Sequence, residues 1–291
     1  MVTASSNLPK LFITGATGNV GRALVQQLSS EPVHLTAAVR NLDKAQRQLG
    51  DQVDHYHHLD FATHTGLALD DDYQAVFLVR PPQLADPKRY FEPLIKHIPA
   101  QTRVVFLSVQ GADKKGYLPH AKIETLIQNY GLDHVFLRPS YFMENLVTTL
   151  KDELSQHQRI YLPAGPLQLN WVAVDDVARV AQQALREDLQ PSAVEITSDQ
   201  VFDFNTAVGL INEECQTQLR YESPNVIRYV IYGFSQGFSL GYILVMLLLH
   251  YWPRFEPSPQ PSNTVAALTG RAPTSFRQFV RDHRDFFTAL G

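Results

Sequence analysis

The sequence contains a single cysteine, Cys215, which excludes an intrachain disulfide and a cysteine-based metal site and fits a reducing compartment. It also lacks an excess of charge of either sign. With 25 basic and 29 acidic residues the net charge is −4, so there is no electrostatic case for binding nucleic acid. It lacks a long hydrophobic run. The longest, Tyr242 to Leu249, falls well short of the roughly 20 residues needed to span a bilayer and reads as a buried helix. The stretch Met1–Lys10 has no charged-then-apolar signal pattern, and no internal repeat is visible. His55, His57 and His58 form a histidine-rich strand, but no carboxylate or cysteine is clearly placed beside them, so no metal is expected. These absences predict a soluble cytoplasmic protein with no direct business with nucleic acid or membrane.

What is present is a hydrophobic content of 44% over 291 residues, enough for one large α/β domain or for two unequal ones. Up to about residue 140, apolar strand-like runs alternate with helix-like ones. Val33–Val39, Val53–Leu59, Ala75–Val79, Val104–Ser108 and Val135–Leu137 read as strands. Asp43–Leu49, Pro87–His97 and Pro119–Tyr130 read as helices, the last ended by Gly131. Such alternation predicts a Rossmann-type doubly wound parallel sheet, covered on both faces. After Ser140 the pattern loosens. Ile160–Leu162, Asn170–Val174 and Val194–Ile196 read as short strands, and Asp175 or Asp176 as the cap of a helix to Leu185. Pro224–Trp252 is long, aromatic and interrupted by glycines, and Ser275–Gln278 has capping-box spacing before a last helix to Phe287. The expected division is a dinucleotide-binding domain over 1–150 and a smaller α+β lobe over 151–291 that closes over the cofactor, with the chain free to cross between them.

The organising stretch is Leu11-Phe-Ile-Thr-Gly-Ala-Thr-Gly-Asn-Val-Gly21, a strand, a glycine turn and the start of a helix. Gly15 lets the chain turn sharply, Gly18 opens the backbone to a phosphate, and Gly21 lets the helix lie close to the sheet. A helix N-terminus at this point offers its free N–H groups to a pyrophosphate. Arg40 ends the second strand where the adenosine ribose is read. An arginine there, with no acid beside it, accommodates a 2′-phosphate, and Arg22 is placed to assist. Asp60 and Phe61 follow the third strand, near adenine, and Ser108 ends a later strand at the ligand edge. Tyr117 and Lys122 are five apart, one too many for the Tyr-x-x-x-Lys pair of short-chain dehydrogenases, and do not share a helix face. His120 and Glu124 do have i, i+4 spacing, and His120 is the candidate proton donor or relay.

Three blocks, Thr14-Gly-Ala-Thr-Gly-Asn-Val-Gly21, Ala38-Val-Arg40 and Leu137-Arg-Pro-Ser-Tyr-Phe-Met-Glu-Asn145, resemble the NmrA-like branch of the atypical short-chain dehydrogenases. Trp171–Ala178 and Leu268–Phe276 are similar to later segments of that family, so the likeness spans nearly the whole chain. The resemblance implies an NADP(H)-binding protein. By it, Gly15, Thr17, Gly18, Asn19 and Val20 hold the pyrophosphate, Arg40 meets the 2′-phosphate, and Asp60 and Phe61 flank adenine. Val79 and Arg80 lie near the middle of the cofactor, and Tyr141, Phe142 and Asn145 line its nicotinamide end. Family members with quinone reductase activity carry a histidine close to the place of His120.

Two functions follow as expectations. One is NADPH-dependent hydride transfer to a quinone or similar electron-poor carbonyl acceptor, a chemistry that suits a site poor in acids and bases. Tyr141, Phe142, Trp171 and Tyr232 are candidates for a flat apolar slot. The other is a redox sensor that binds NADP(H) without turnover and acts through a regulatory protein partner. A homodimer is compatible with either.

Overall fold

The computed structural model describes residues 8–69, 72–186, 189 and 191–290; residues 1–7, read above for a signal pattern, lie outside them. Leu11, Phe12 and Ile13 are fully buried and form β1 (Lys10–Thr14), which runs through the glycine turn into α1 (Asn19–Leu28). Then come β2 (His34–Val39), α2 (Leu42–Leu49), β3 (His55–His58) and β4 (Ala75–Val79). Two short helices, α3 (Pro87–Tyr90) and α4 (Glu92–Ile95), precede β5 (Arg103–Leu107), α5 (Pro119–Asn129) and β6 (His134–Pro139). Next are β7 (Tyr141–Phe142), α6 (Lys151–His157), β8 (Arg159–Tyr161), β9 (Leu169–Val172), α7 (Val174–Arg186) and β10 (Ala193–Ile196). The chain ends with β11 (Val201–Phe202), α8 (Phe204–Cys215), β12 (Arg220–Glu222), α9 (Val226–Ser235), α10 (Leu240–His250), α11 (Thr264–Thr269), α12 (Phe276–Asp282) and α13 (Arg284–Thr288).

These elements form two compact units. The first takes the chain up to Pro139, Val174–Ile196 and Thr264–Arg271; the second takes Ser140–Ala173, Thr197–Asn263 and the residues from Ala272 on. The chain therefore passes between units several times, a crossing that the expected division at residue 150 left open.

The first unit is a Rossmann-type α/β fold. Its seven strands are all parallel, in the order β10-β6-β5-β4-β1-β2-β3. Phe12 on β1 is opposite Thr36 on β2 and Val76 on β4, so the strand order reverses between β1 and β4. Phe12, Phe77, Phe106 and Phe136 fill the core at 0–1% exposure. The segment expected to be one helix over Pro87–His97 is two, because Pro93 has no N–H to return to Arg89, the residue four earlier. The Arg89 carbonyl is instead bonded by the His64 ring at 2.8 Å. Helix α7 and strand β10 belong to this unit rather than to a C-terminal lobe. The buried face of α7, from Val177 to Ala184, packs with α1, and Gln27 reaches the Asp175 carbonyl at 3.2 Å. Asp176 lies inside the first turn of α7, fully buried and paired with Arg179, so it is not the cap residue.

The second unit holds a three-stranded sheet, β11-β9-β7, a parallel pair, β12-β8, and the remaining helices. Trp171 is its central core ring, 0% exposed, stacked on Phe202 at 5.4 Å and donating from its indole N–H to the Phe202 carbonyl at 3.1 Å. The aromatic stretch after Pro224 is a helical hairpin that turns at Gly237, where φ is +76°. A Cβ on Gly233 would lie 2.9 Å from the Ile243 side chain, so the two helices meet there. Contrary to expectation, Tyr242–Leu249 is not a buried helix. Ile243, Met246 and His250 turn inward and Leu247 is half-buried against the core, while Leu244, Val245, Leu248 and Leu249 are 43–56% exposed. No helix among the described residues is long and apolar enough to cross a membrane.

Gly21 carries a tighter constraint than Gly233. A Cβ there would lie 2.1 Å from the Gly15 carbonyl oxygen. Gly21→Ala is expected to destabilise by about 1–3 kcal/mol, the usual cost of overpacking. Gly209 of α8 has open space around the same position, so Gly209→Ala should gain about 0.4–1 kcal/mol. Urea unfolding of both variants checks the contrast.

Candidate functional site

The carboxyl edge of the seven-stranded sheet collects most of the residues singled out in the sequence. Gly15 follows β1, Arg40 follows β2, Asp60 lies just past β3, Arg80 follows β4 and Ser108 follows β5. In open parallel sheets ligands bind at this edge, where the strand order reverses. Here the reversal lies between β1 and β4, and two contacts lock it. The buried Thr14 hydroxyl donates to the Phe77 carbonyl at 3.0 Å and accepts from the Val79 N–H at 2.9 Å. Gly15, at φ +63°, leaves only 3.2 Å between its would-be Cβ and that of Val79.

The turn itself is built from backbone. The Gly18 N–H donates to the Gly15 carbonyl at 2.9 Å, and Gly18, in extended conformation, is the N-cap of α1. No side chain caps the helix and its first turn holds no acid. The N-terminal N–H groups therefore carry the helix's partial positive charge outward with no capping side chain among the described residues to satisfy it. Gly15, Gly18 and Asn19 are exposed, Thr17 is half-buried and Val20 is buried, while Arg22 projects to solvent from the first turn. Gly21 packs against the turn backbone rather than the sheet.

Arg40 is exposed and lines a shallow depression of about 360 Å³ with Asn41, Leu42, Asp43 and His58. The sequence reading found no acid beside Arg40, but the first turn of α2 brings Asp43 into the same depression. Asp60 spends one carboxylate oxygen on its own loop, accepting from the Ala62 N–H at 2.8 Å. Phe61 is 6% exposed and packs on Phe91 with ring centres 4.9 Å apart, so its ring belongs to the core. His57 bonds the Gly66 carbonyl at 2.7 Å, and its strand neighbours His55 and His58 are exposed or nearly so. No group of three or more metal-ligating side chains is found among the described residues.

His120 and Glu124 share α5 but engage different partners. Arg80 donates from Nε to His120 Nε2 at 3.3 Å, and its guanidinium is held by the carbonyls of Pro81, Pro82 and Leu84 at 3.0–3.2 Å. Because a guanidinium only donates, His120 Nε2 must be the acceptor and the imidazole proton sits on Nδ1. Burial, reinforced by the positive Arg80, lowers the His120 pKa to about 3. The ring is therefore neutral at ordinary pH.

Glu124, 5% exposed, accepts from the Ser108 hydroxyl at 2.5 Å and from Arg138 Nε and NH2 at 3.0 and 2.7 Å. The two-pronged bond to Glu124 raises the Arg138 pKa. Ser108 is thus committed inward, and Arg138 was quoted in the sequence only as part of a motif. The pair stands fourteen residues apart across a helix and a strand, which leaves no spacing signal. Tyr117 lies in the turn before α5 and Lys122 on the exposed side of the helix.

In the second unit, Tyr141 is half-buried on β7, its ring edge-on to Trp171 and Phe204. Its hydroxyl lies 3.2 Å from His250 Nε2, and His250 Nδ1 lies 2.9 Å from the Met246 carbonyl. Nδ1 must therefore carry the proton, so Nε2 accepts from the tyrosine. Phe142 and Asn145 are half-buried, and Tyr232 bonds Glu153. Trp171, expected among slot-lining aromatics, is a closed core ring and presents no surface. Sequence reading passed over His250, although one polar residue ending an apolar run was a usable signal.

The fold is of the Rossmann α/β class. No family profile matches the chain. It is 26% identical to the prestalk A differentiation protein A of Dictyostelium discoideum, over 96% of this chain and 93% of that one. It is 24% identical to an uncharacterized oxidoreductase of Bacillus subtilis, over 96% and 97%. Among solved structures, the Citrobacter triphenylmethane reductase complexed with NADP(H) superposes with TM-score 0.77 at 17% identity, covering 94% of this chain and 99% of that one. The Escherichia coli NADPH-dependent quinone oxidoreductase complexed with NADPH gives 0.76 at 18%, with the same coverage. NmrA, a negative transcriptional regulator solved with NADP, gives 0.69 at 14%, covering 94% and 95%. The chain therefore has the fold of the NmrA-like atypical short-chain dehydrogenases.

The buried histidine sets a pH dependence. Burial lowers the pKa of His250, 1% exposed, from 6.5 to about 4. The unfolded chain thus binds more protons between those values. The stabilising term is complete above pH 6.5 and is lost as pH falls toward 4, amounting to at most about 3 kcal/mol. Urea unfolding at pH 7 and 4.5 should show a smaller loss of stability for His250→Gln than for the wild type.

Proposed function

We propose that the chain binds NADP(H) and reduces a quinone or a similar small electron-poor carbonyl compound. One observation carries the cofactor half: an uncapped ten-residue helix whose first turn holds no acid, opened by a turn whose glycines leave bare backbone facing outward. That donor set fits a pyrophosphate. In this reading Gly15, Thr17, Gly18, Asn19 and Val20 hold the pyrophosphate, and Arg40, helped by Arg22, takes the 2′-phosphate. Val79 and Arg80 flank the middle of the cofactor, and Asp60 offers its remaining oxygen near adenine. Phe61 contributes only by shaping the floor beneath, and Ser108 by fixing Glu124. Tyr141, Phe142 and Asn145 are assigned to the nicotinamide end by the family resemblance. The fold shared with dye and quinone reductases that were solved with this cofactor supports the reading.

Bound NADPH supplies a hydride. The chain's own contribution is positioning and charge. His120 is a neutral imidazole with its proton on Nδ1, so it orients and polarises an acceptor oxygen by donating a hydrogen bond. Arg80, held in place by three carbonyls, adds fixed positive charge beside it. A second reading, an NADP(H)-responsive regulator, is favoured by the likeness to NmrA and by the absence of a Tyr-x-x-x-Lys pair.

Titration calorimetry should find NADP(H) bound more tightly than NAD(H). Arg40→Ala should lose about 1.5–3 kcal/mol for NADP(H), the worth of a hydrogen bond to a charged group, and spare NAD(H). Equal affinity of the wild type for the two cofactors would contradict the assignment.

Turnover is checked by the loss of NADPH absorbance with a panel of quinones and aldehydes. Saturable reduction of quinones is expected, with His120→Ala slowing it by about 10²-fold at unchanged NADPH affinity. Because the His120 pKa lies near 3, its ionisation should leave no break in kcat between pH 5 and 8. Tight NADPH binding with no turnover on any acceptor would favour the regulator instead.

A further inference from the structure

From Arg228 to Arg254 the chain passes through residues 229–253 without a single Asp, Glu, Lys or Arg. This segment builds most of α9, all of α10 and the start of a 3-10 turn, Trp252–Phe255, all within the second unit. On α9, Ile227, Ile231 and Phe234 point outward at 72%, 64% and 54% exposure. On α10, Leu240, Leu244 and Leu248 form an outward stripe at 58%, 56% and 43%. Trp252 and Phe255 extend the apolar surface beyond its end at 61% and 72%.

A helix that is apolar on every side is normally a buried one, yet here only the inner face of α10 is covered. The helix is too short to cross a membrane. Nor does it have the make-up of a helix lying on a lipid surface, which sets an apolar face against a Lys- and Arg-rich one. Eleven large apolar residues of the hairpin and turn are 37–72% exposed. At roughly 200 Å² for each whole side chain, they present on the order of 1,000 Å², against ~300–600 Å² for the largest patch on a typical monomer and ~800 Å² per partner in a stable interface.

We propose that this face docks against the same face of a second copy of the chain in a two-fold dimer. Two features favour a copy over another partner. A two-fold axis sets each residue near it opposite its own counterpart, so a charge there would meet its like; residues 229–253 hold none, and Arg228 and Arg254 stand only at the two ends of that stretch. The outward stripe of α10 recurs every four residues, so it reads the same from either end, and an antiparallel copy brings leucine against leucine.

The test is the mass of the full-length chain in solution, by sedimentation equilibrium and light scattering across the micromolar range. The wild type should be dimeric. Leu244→Lys combined with Leu248→Lys should weaken the dimer at least tenfold, and Ile231→Glu on α9 should do the same independently, both with unchanged circular dichroism. A wild type that stays monomeric overturns the proposal whatever the variants do. A dimer that survives both variants overturns it too, by placing the interface elsewhere. Flotation of a monomeric wild type with phosphatidylcholine vesicles would overturn it in favour of a lipid surface.

Discussion

The candidate site depends on the Gly15 peptide. Its φ of +63° turns the chain off β1, and its carbonyl accepts from the Gly18 N–H at 2.9 Å. The same oxygen is what a side chain on Gly21 would strike. Three requirements therefore meet at one carbonyl: a left-handed turn, closure of that turn by hydrogen bond, and close seating of α1. Thr14 completes the arrangement by tying β1 to β4 with two hydrogen bonds of one buried hydroxyl. A turn fixed on both sides in this way presents the α1 N–H groups in one orientation. Pre-organised backbone donors bind an anion without first paying the entropy of ordering them.

The charged groups along the sheet edge are sorted with the same economy. Glu124 is satisfied by Ser108 and Arg138, all three inside the first unit, so both its oxygens are engaged by donors of the chain itself. Arg80 is restrained by three carbonyls and leans on His120. The effect is a pair of networks on one helix, α5, each anchored to a different strand end. The i, i+4 spacing of His120 and Glu124 told that they share a side of the helix, but a side of a helix can face two strands at once.

The parallel sheet was legible because its strands are short apolar runs stopped by turn residues, as Ala75–Val79 is by Pro81 and Pro82. The glycine turn was legible because backbone geometry restricts which residues can occupy it. The membership of α7 and β10 in the sheet unit was not. An amphipathic pattern says that one face is buried and is silent on what buries it, and the partner of Asp175 is Gln27, 148 positions away. For the same reason composition marked Tyr242–Leu249 as apolar and hence buried, while only tertiary packing determines that half of it is covered. Phe61 and Trp171 were read as ligand contacts because aromatic rings serve binding sites and cores alike, and no local signal separates the two.

Proton supply separates the acceptors that this site could serve under the proposed reading. An aldehyde reduced by hydride becomes an alkoxide, a strong base that must take up a proton as it forms. The site would then need an acid able to release one. His120 holds its only proton on Nδ1 as a neutral imidazole, and giving that proton up would leave an anion, which a buried ring resists strongly. Glu124 is locked by Ser108 and Arg138, and Tyr117 stands in an exposed turn. A quinone makes a smaller demand, because the product of hydride addition is a delocalised phenolate-like anion that solvent can protonate afterwards. What such a reaction asks of the chain is a hydrogen-bond donor and a fixed positive charge near the developing anion. His120 and Arg80 can supply those two things without either one changing its protonation state.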